Sequence, residues 1–108
     1  MALSRSFKDT VKARADRDPE FRAALLGEAV EAFAAGDADS GKALIRDYIN
    51  ATIGFDQLSE AVAMDPKNLM RMFGPRGNPR LANLSAVLRE LNRREAVHFK
   101  VEPERLAG

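Results

Sequence analysis

Residues 55–73 read FDQLSEAVAMDPKNLMRMF, and this stretch decides the fold. Both of its halves carry apolar anchors at helical spacing, which are Leu58, Val62, Leu69 and Met72. Asp65 can cap a helix through its side chain and Pro66 fits a first helical turn, so a second helix is predicted to begin there. Two short helices separated by a tight break are typical of a helix-turn-helix motif.

The exposed side of the second motif helix is the part that could touch DNA. When such a helix lies in the major groove, its N-terminal residues come nearest the base edges. The residues predicted to contact bases are Lys67, Asn68, Met70 and Arg71. Arg71 suits guanine and Asn68 suits adenine, because each pairing can form two parallel hydrogen bonds. Met70 stays open between an apolar base contact and a core position, whereas Met72 is assigned to the core.

The charge distribution points to the same region. The net charge is only +1, yet the segment between Asp65 and Glu90 contains no acidic residue and carries Lys67, Arg71, Arg76, Arg80 and Arg89. A local basic patch is the electrostatic footprint of a protein that lies along phosphates, although charge runs are more often solvated surface. Its coincidence with the motif favours phosphate binding. The predicted phosphate contacts are Gly54, Phe55, Arg76, Asn78 and Arg80, with Lys67 also suited to this role.

Turn and capping signals divide the rest of the chain into further helices. Such signals stand near Ser6, at Asp18-Pro19, at Gly36, at Gly54 and over residues 74–79. The predicted fold is all-α, with about six helices around a helix-turn-helix core. The predicted division is an N-terminal helical extension at 1–36, the DNA-binding domain at 37–94, and a strand and tail at 95–108.

The tail has a different pattern from the helices. Residues 96–102 alternate apolar and polar side chains, which places Val97, Phe99 and Val101 on one side and predicts a β-strand. A solitary strand leaves its backbone groups unpaired, so it needs a partner. Pairing with the same strand of a second copy, which would form a dimer, is favoured over addition to another protein's sheet and over a disordered or helical end.

Composition argues against several classes of protein. Cysteine is absent, which removes disulfides, thiolate metal sites and a cysteine nucleophile. The loop at 74–79 lacks the Gly-Lys-Ser/Thr ending of a phosphate-binding loop, and the single histidine, His98, has no catalytic or metal-binding companion. Neither a signal peptide nor a membrane-spanning stretch is evident. We therefore expect a cytoplasmic protein without enzymatic activity, cofactor, metal or membrane association.

Several of these residues together resemble the Xre/Cro-type helix-turn-helix family. Leu58-Ser59, Ala63, Leu69 and Pro79 occupy the family's recurring positions in the same register. More narrowly, residues 46–55, residues 67–79 and the strand-like tail resemble small bacterial addiction-module antidote proteins, which are HigA-like antitoxins. The resemblance implies a lambda-repressor-like helix-turn-helix core. It also implies a homodimer that binds a palindromic operator in double-stranded DNA, represses its own operon and neutralises a RelE/ParE-like toxin.

Two positions depart from the family pattern. Phe55 stands where many members have a polar residue that contacts phosphate, so only backbone N–H groups would serve there. Phe73 stands where many members have a buried glutamate paired with a basic residue of the preceding long helix, and an apolar replacement of such a pair need not destabilise the fold. The alternative function is therefore a helical protein-interaction module on the same scaffold without DNA binding.

Overall fold

The computed structural model describes residues 5–107, in which six α-helices form. They are α1 (Arg5–Arg17), α2 (Pro19–Ala34), α3 (Ala38–Ala51), α4 (Phe55–Val62), α5 (Pro66–Met72) and α6 (Leu81–Glu95). The predicted all-α class and the number of helices are confirmed for this part of the chain. The first four residues of the predicted N-terminal extension, and Gly108, lie outside the described residues.

Local capping chemistry explains where the helices begin. The Asp18 carboxylate accepts the backbone N–H groups of Glu20 and Phe21, each at 3.1 Å, and the bond from Phe21 is the main reason why the pKa of Asp18 is lowered. Asp65 accepts the N–H of Lys67 at 2.8 Å in the same way, and a proline opens each of these two helices. The predicted starts of α2 and α5 are therefore correct.

The core lies between α2 and α3 and extends under α4, α5 and α6. Its largest fully buried side chains are Leu26, Ile45, Ile49, Leu58, Leu69, Phe73, Val87 and Leu91. Gly41 allows α2 and α3 to approach closely, because a Cβ atom at this position would lie 2.5 Å from the Phe33 ring. Leu26 and Ala29 of α2 are fully buried, so this helix contributes directly to the core.

A buried polar cluster joins the end of α6 to α2 and α3. The Glu95 carboxylate accepts two bonds from Arg22 Nε, at 3.0 and 3.1 Å, and one from the Tyr48 hydroxyl at 2.5 Å. Arg22 also donates to the carbonyl of Ala15 in α1 at 2.6 Å. Burial, followed by the bond to Glu95, raises the pKa of Tyr48, so the phenol stays protonated. The cluster therefore ties four helices together.

The tail differs from the prediction. No β-strand forms within residues 5–107, and residues 97–107 have no regular secondary structure. Val97 and Phe99 are half-buried against the core, with the Phe99 ring 3.5 Å from where a Cβ at Gly27 would lie, whereas Val101 is 76% exposed. A lone strand has no partner for its backbone, and Val97 and Phe99 instead pack their side chains against the helices. Pairing across a dimer stays a prediction.

Candidate nucleic-acid interface

Helices α4 and α5 are joined by three residues, 63–65. Ala63 adopts a left-handed conformation with φ 55°, and the N–H groups of Ala63 and Met64 both donate to the Ser59 carbonyl, which ends α4. The chain then turns into Asp65, which caps α5. Leu58 and Leu69 are fully buried, so each of the two short helices is anchored to the core by its own leucine.

One side of α5 is exposed, and it carries all four residues predicted to contact bases. They are Lys67, Asn68, Met70 and Arg71. Successive helical residues are ~100° apart, so these four side chains share one side and Leu69 lies opposite. Met70 is 46% exposed, which places it outside the core, whereas Met72 is half-buried against the core as predicted. Arg71 Nη1 donates to the Asn68 Oδ1 at 3.3 Å.

The loop at residues 74–80, called here the basic loop, continues this exposed surface. Its three predicted phosphate contacts, Arg76, Asn78 and Arg80, are all exposed. Within the described residues, none of the five basic side chains between Asp65 and Glu90 forms an ion pair. Their charges are therefore free to meet an anionic partner.

Towards the end of α6, the basic side chains pair with an acidic residue of the same helix, so the basic surface does not extend over them. Arg93 Nη2 and Arg94 Nε each lie 2.7 Å from the Glu90 carboxylate. Hydrogen bonds from Arg93, and then from Arg94, lower the pKa of Glu90 to about 2. Both of these arginines are already paired with a carboxylate. Arg89 is therefore the last cation of this surface that forms no ion pair with another described residue.

The N-terminus of α4 offers less to a phosphate than the basic loop does. Gly54 stands at its N-cap with φ 80°, and its own N–H donates to the Ile49 carbonyl at 2.8 Å. No side chain caps this end, and the Phe55 side chain is buried, so only backbone N–H groups of the first turn could serve. The exposed carboxylate of Asp56 in the same turn would repel a phosphate.

Two residues of α3 that the sequence analysis did not single out hold the basic loop from behind. Lys42 Nζ donates to the Gly77 carbonyl at 2.7 Å and to the Pro75 carbonyl at 3.4 Å. Arg46, one helical turn later, donates to the Phe73 carbonyl at 3.0 Å. Lys42 stands in the same helical register as Ile45 and Ile49, and this position among core residues was the available signal that its charge is buried.

Arg46 also links α3 to the end of α5. Phe73, which directly follows α5, is fully buried, and its side chain offers no hydrogen-bond acceptor. Arg46 donates to the backbone carbonyl of Phe73 instead, which joins the two helices without a buried ion pair.

Comparisons of the chain with protein-family models, with characterised proteins and with solved structures return no significant match. The Xre/Cro resemblance therefore depends on the residues alone. Among the described residues, none of the helices is long and apolar enough to cross a membrane, and no group of three or more His, Asp or Glu side chains is placed to hold a metal ion.

Proposed function

We propose that this protein is a sequence-specific DNA-binding transcriptional regulator in which α4 and α5 act as a lambda-repressor-like helix-turn-helix. The observation that supports this most is the continuous exposed surface formed by α5 and the basic loop, where no acidic residue stands between Asp65 and Glu90. Its cations form no ion pair among the described residues. Such a surface has the charge expected of a protein that lies along a duplex backbone.

Each part of the surface has its own role in this proposal. Helix α5 lies in the major groove, where Arg71 and Asn68 read base edges and Met70 offers apolar contact to a thymine methyl. Arg76, Asn78 and Arg80 contact phosphates, which fixes the register of α5 without reading sequence. The hydrogen bond between Asn68 and Arg71 orients both side chains before DNA arrives.

The resemblance to addiction-module antidote proteins supports a more specific form of the proposal. In this form the protein is the antitoxin of a toxin–antitoxin module, binds a palindromic operator as a homodimer, represses its own operon and neutralises a RelE/ParE-like toxin. The alternative is a helical protein-interaction module that has lost DNA binding. The buried Phe55 and the exposed Asp56 favour this alternative, because they weaken the phosphate anchor at the start of α4.

Selection from a pool of random duplexes, followed by titration at several salt concentrations, tests DNA binding. We expect Arg71→Ala to relax the base preference by ~1 to 3 kcal/mol at the position that Arg71 reads, and also to alter the preference at the position read by Asn68, whose side chain Arg71 orients. Arg80→Ala should weaken binding to all sequences alike. It should also lower by about 1 the magnitude of the slope of log affinity against log salt concentration, called here the salt slope. Arg105→Ala, in the exposed tail, is the control that should change neither. Absence of duplex binding by the wild-type protein at low salt would contradict the proposal and favour the interaction module.

The dimer can be tested at Val101 without disturbing the fold. Deleting the whole tail would also remove Val97 and Phe99, which pack against the chain's own core. Val101 is 76% exposed in the single chain, so Val101→Asp should leave the unfolding temperature unchanged and convert a dimer to a monomer on a sizing column. Glu102→Gln, whose side chain points to the other side of a strand, should stay dimeric. A dimer that survives Val101→Asp would show that the tail does not form the interface.

A further inference from the structure

Lys42 is buried in a way that depends on the basic loop. The residue is 6% exposed, and its nearest carboxylate, that of Asp39, lies 3.5 Å away and is 91% exposed. A carboxylate so fully solvated compensates little for burial of an ammonium group. The carbonyls of Gly77 and Pro75 must therefore supply most of the acceptors that Lys42 needs, so its burial is stable only while the loop is in place.

The loop is held equally closely on its other side. A Cβ atom at Gly77 would overlap the carbonyl oxygens of Arg71 and Met72. Only glycine can approach the end of α5 this closely. The Gly77 N–H also donates to the Gly74 carbonyl at 3.0 Å, which closes the turn. Gly77 is thus fixed between α5 and the Lys42 ammonium.

The backbone carbonyls that α3 binds alternate along the chain. Arg46 binds the carbonyl of Phe73, just before the basic loop, and Lys42 binds those of Pro75 and Gly77 within it. The residues between and after them include the exposed Arg76, Asn78 and Arg80. The backbone of the loop is therefore bound to the protein, and its predicted phosphate contacts remain available to solvent.

We propose that Lys42 is a positioning residue for DNA binding, which holds the basic loop so that Arg76, Asn78 and Arg80 meet the same duplex as α5. Lys42 itself does not touch DNA. This inference rests on the proposed function. A loop that is ordered before binding gains affinity, because the entropy cost of ordering it does not reduce the free energy of the phosphate contacts.

Lys42→Met is the direct test, because methionine keeps an unbranched apolar stem and removes the ammonium. We expect the Gly77 amide to exchange with deuterium at least roughly tenfold faster, since loss of the anchor opens the loop locally. The salt slope of duplex binding should fall by about 1 to 2, because each phosphate that the loop no longer neutralises lowers it by about 0.9. Base preference should not change, because α5 keeps its side chains and its own anchors.

Two further variants separate positioning from charge. Lys100→Met removes one positive charge at an exposed site, with 80% of its side chain accessible, and should leave both amide exchange in the loop and the salt slope as in the wild type. Gly77→Ala keeps every charge and displaces the loop from the end of α5, so it should reproduce the slope and the exchange rate of Lys42→Met.

The outcomes distinguish this inference from the proposed function. If the wild-type protein binds duplex and Lys42→Met has the same salt slope as Lys100→Met, the positioning role is wrong while the DNA-binding proposal stands. An unchanged exchange rate at Gly77 in Lys42→Met would overturn the inference whether or not DNA is bound. Failure of the wild-type protein to bind any duplex would instead overturn the proposed function, and with it the role of the loop in DNA binding.

Discussion

Phe73→Ala is expected to lower the free energy of unfolding by ~3 to 5 kcal/mol, which is the usual cost of truncating a fully buried phenylalanine. Phe73 follows directly after α5, and its ring is completely buried. Among the seven residues of α5, only Leu69 is buried. A helix this short is not stable in isolation. The two side chains therefore hold α5 to the core. Urea unfolding followed by circular dichroism measures the change.

Phe73→Leu is the matched control for this prediction. Leucine keeps an apolar side chain in the same space and leaves the backbone carbonyl for Arg46, so the loss should be only ~1 kcal/mol. If Phe73→Ala and Phe73→Leu lower the free energy of unfolding by the same amount, the Phe73 ring does not fill the core as described. A much larger loss for leucine than for alanine would indicate strain rather than a cavity.

Glu95→Ala is expected to lower the free energy of unfolding by ~3 kcal/mol and the melting temperature by roughly 10 to 20 °C. The Glu95 side chain is 6% exposed and is the shared acceptor of Arg22 and Tyr48. Removing it leaves a largely buried guanidinium and a buried phenol without their acceptor, which costs more than the missing bonds themselves. Differential scanning calorimetry gives both quantities.

Glu102→Ala provides the comparison for Glu95→Ala. Glu102 also pairs with a basic residue, Lys100 at 3.2 Å, but both side chains are about three-quarters exposed or more. Exposed pairs contribute little, because water and salt screen them, so no measurable change in melting temperature is expected. Equal effects of the two substitutions would show that burial does not strengthen the cluster around Glu95.

The parts of the fold that were predictable depend on residues close together in the sequence. Asp18 with Pro19, and Asp65 with Pro66, mark two helix starts because the capping carboxylate and the N–H groups that it accepts are two or three residues apart. The exposed side of α5 could be predicted in the same way, since helical periodicity places Leu69 inward and Lys67 and Arg71 outward.

What could not be predicted depends on distant partners. Helix α6 ends at Glu95, whose carboxylate accepts hydrogen bonds from Arg22, 73 residues away along the chain. The alternation of apolar and polar residues in the tail predicts a strand that contains Phe99. The same pattern gives no indication that the Phe99 ring instead packs beside Gly27. The register of Lys42 with Ile45 and Ile49 indicates that it is buried, but the sequence does not show that its acceptors are the carbonyls of the basic loop, 33 and 35 residues later.

The hydrogen bond between Arg71 and Asn68 couples two of the proposed base contacts. Each side chain orients the other, so replacing either one also re-aims its neighbour. The effects of single substitutions at these two positions will therefore not add up to the effect of the double substitution. If the protein reads DNA as proposed, a new target sequence would be reached more readily by exchanging the pair together than by way of either single substitution.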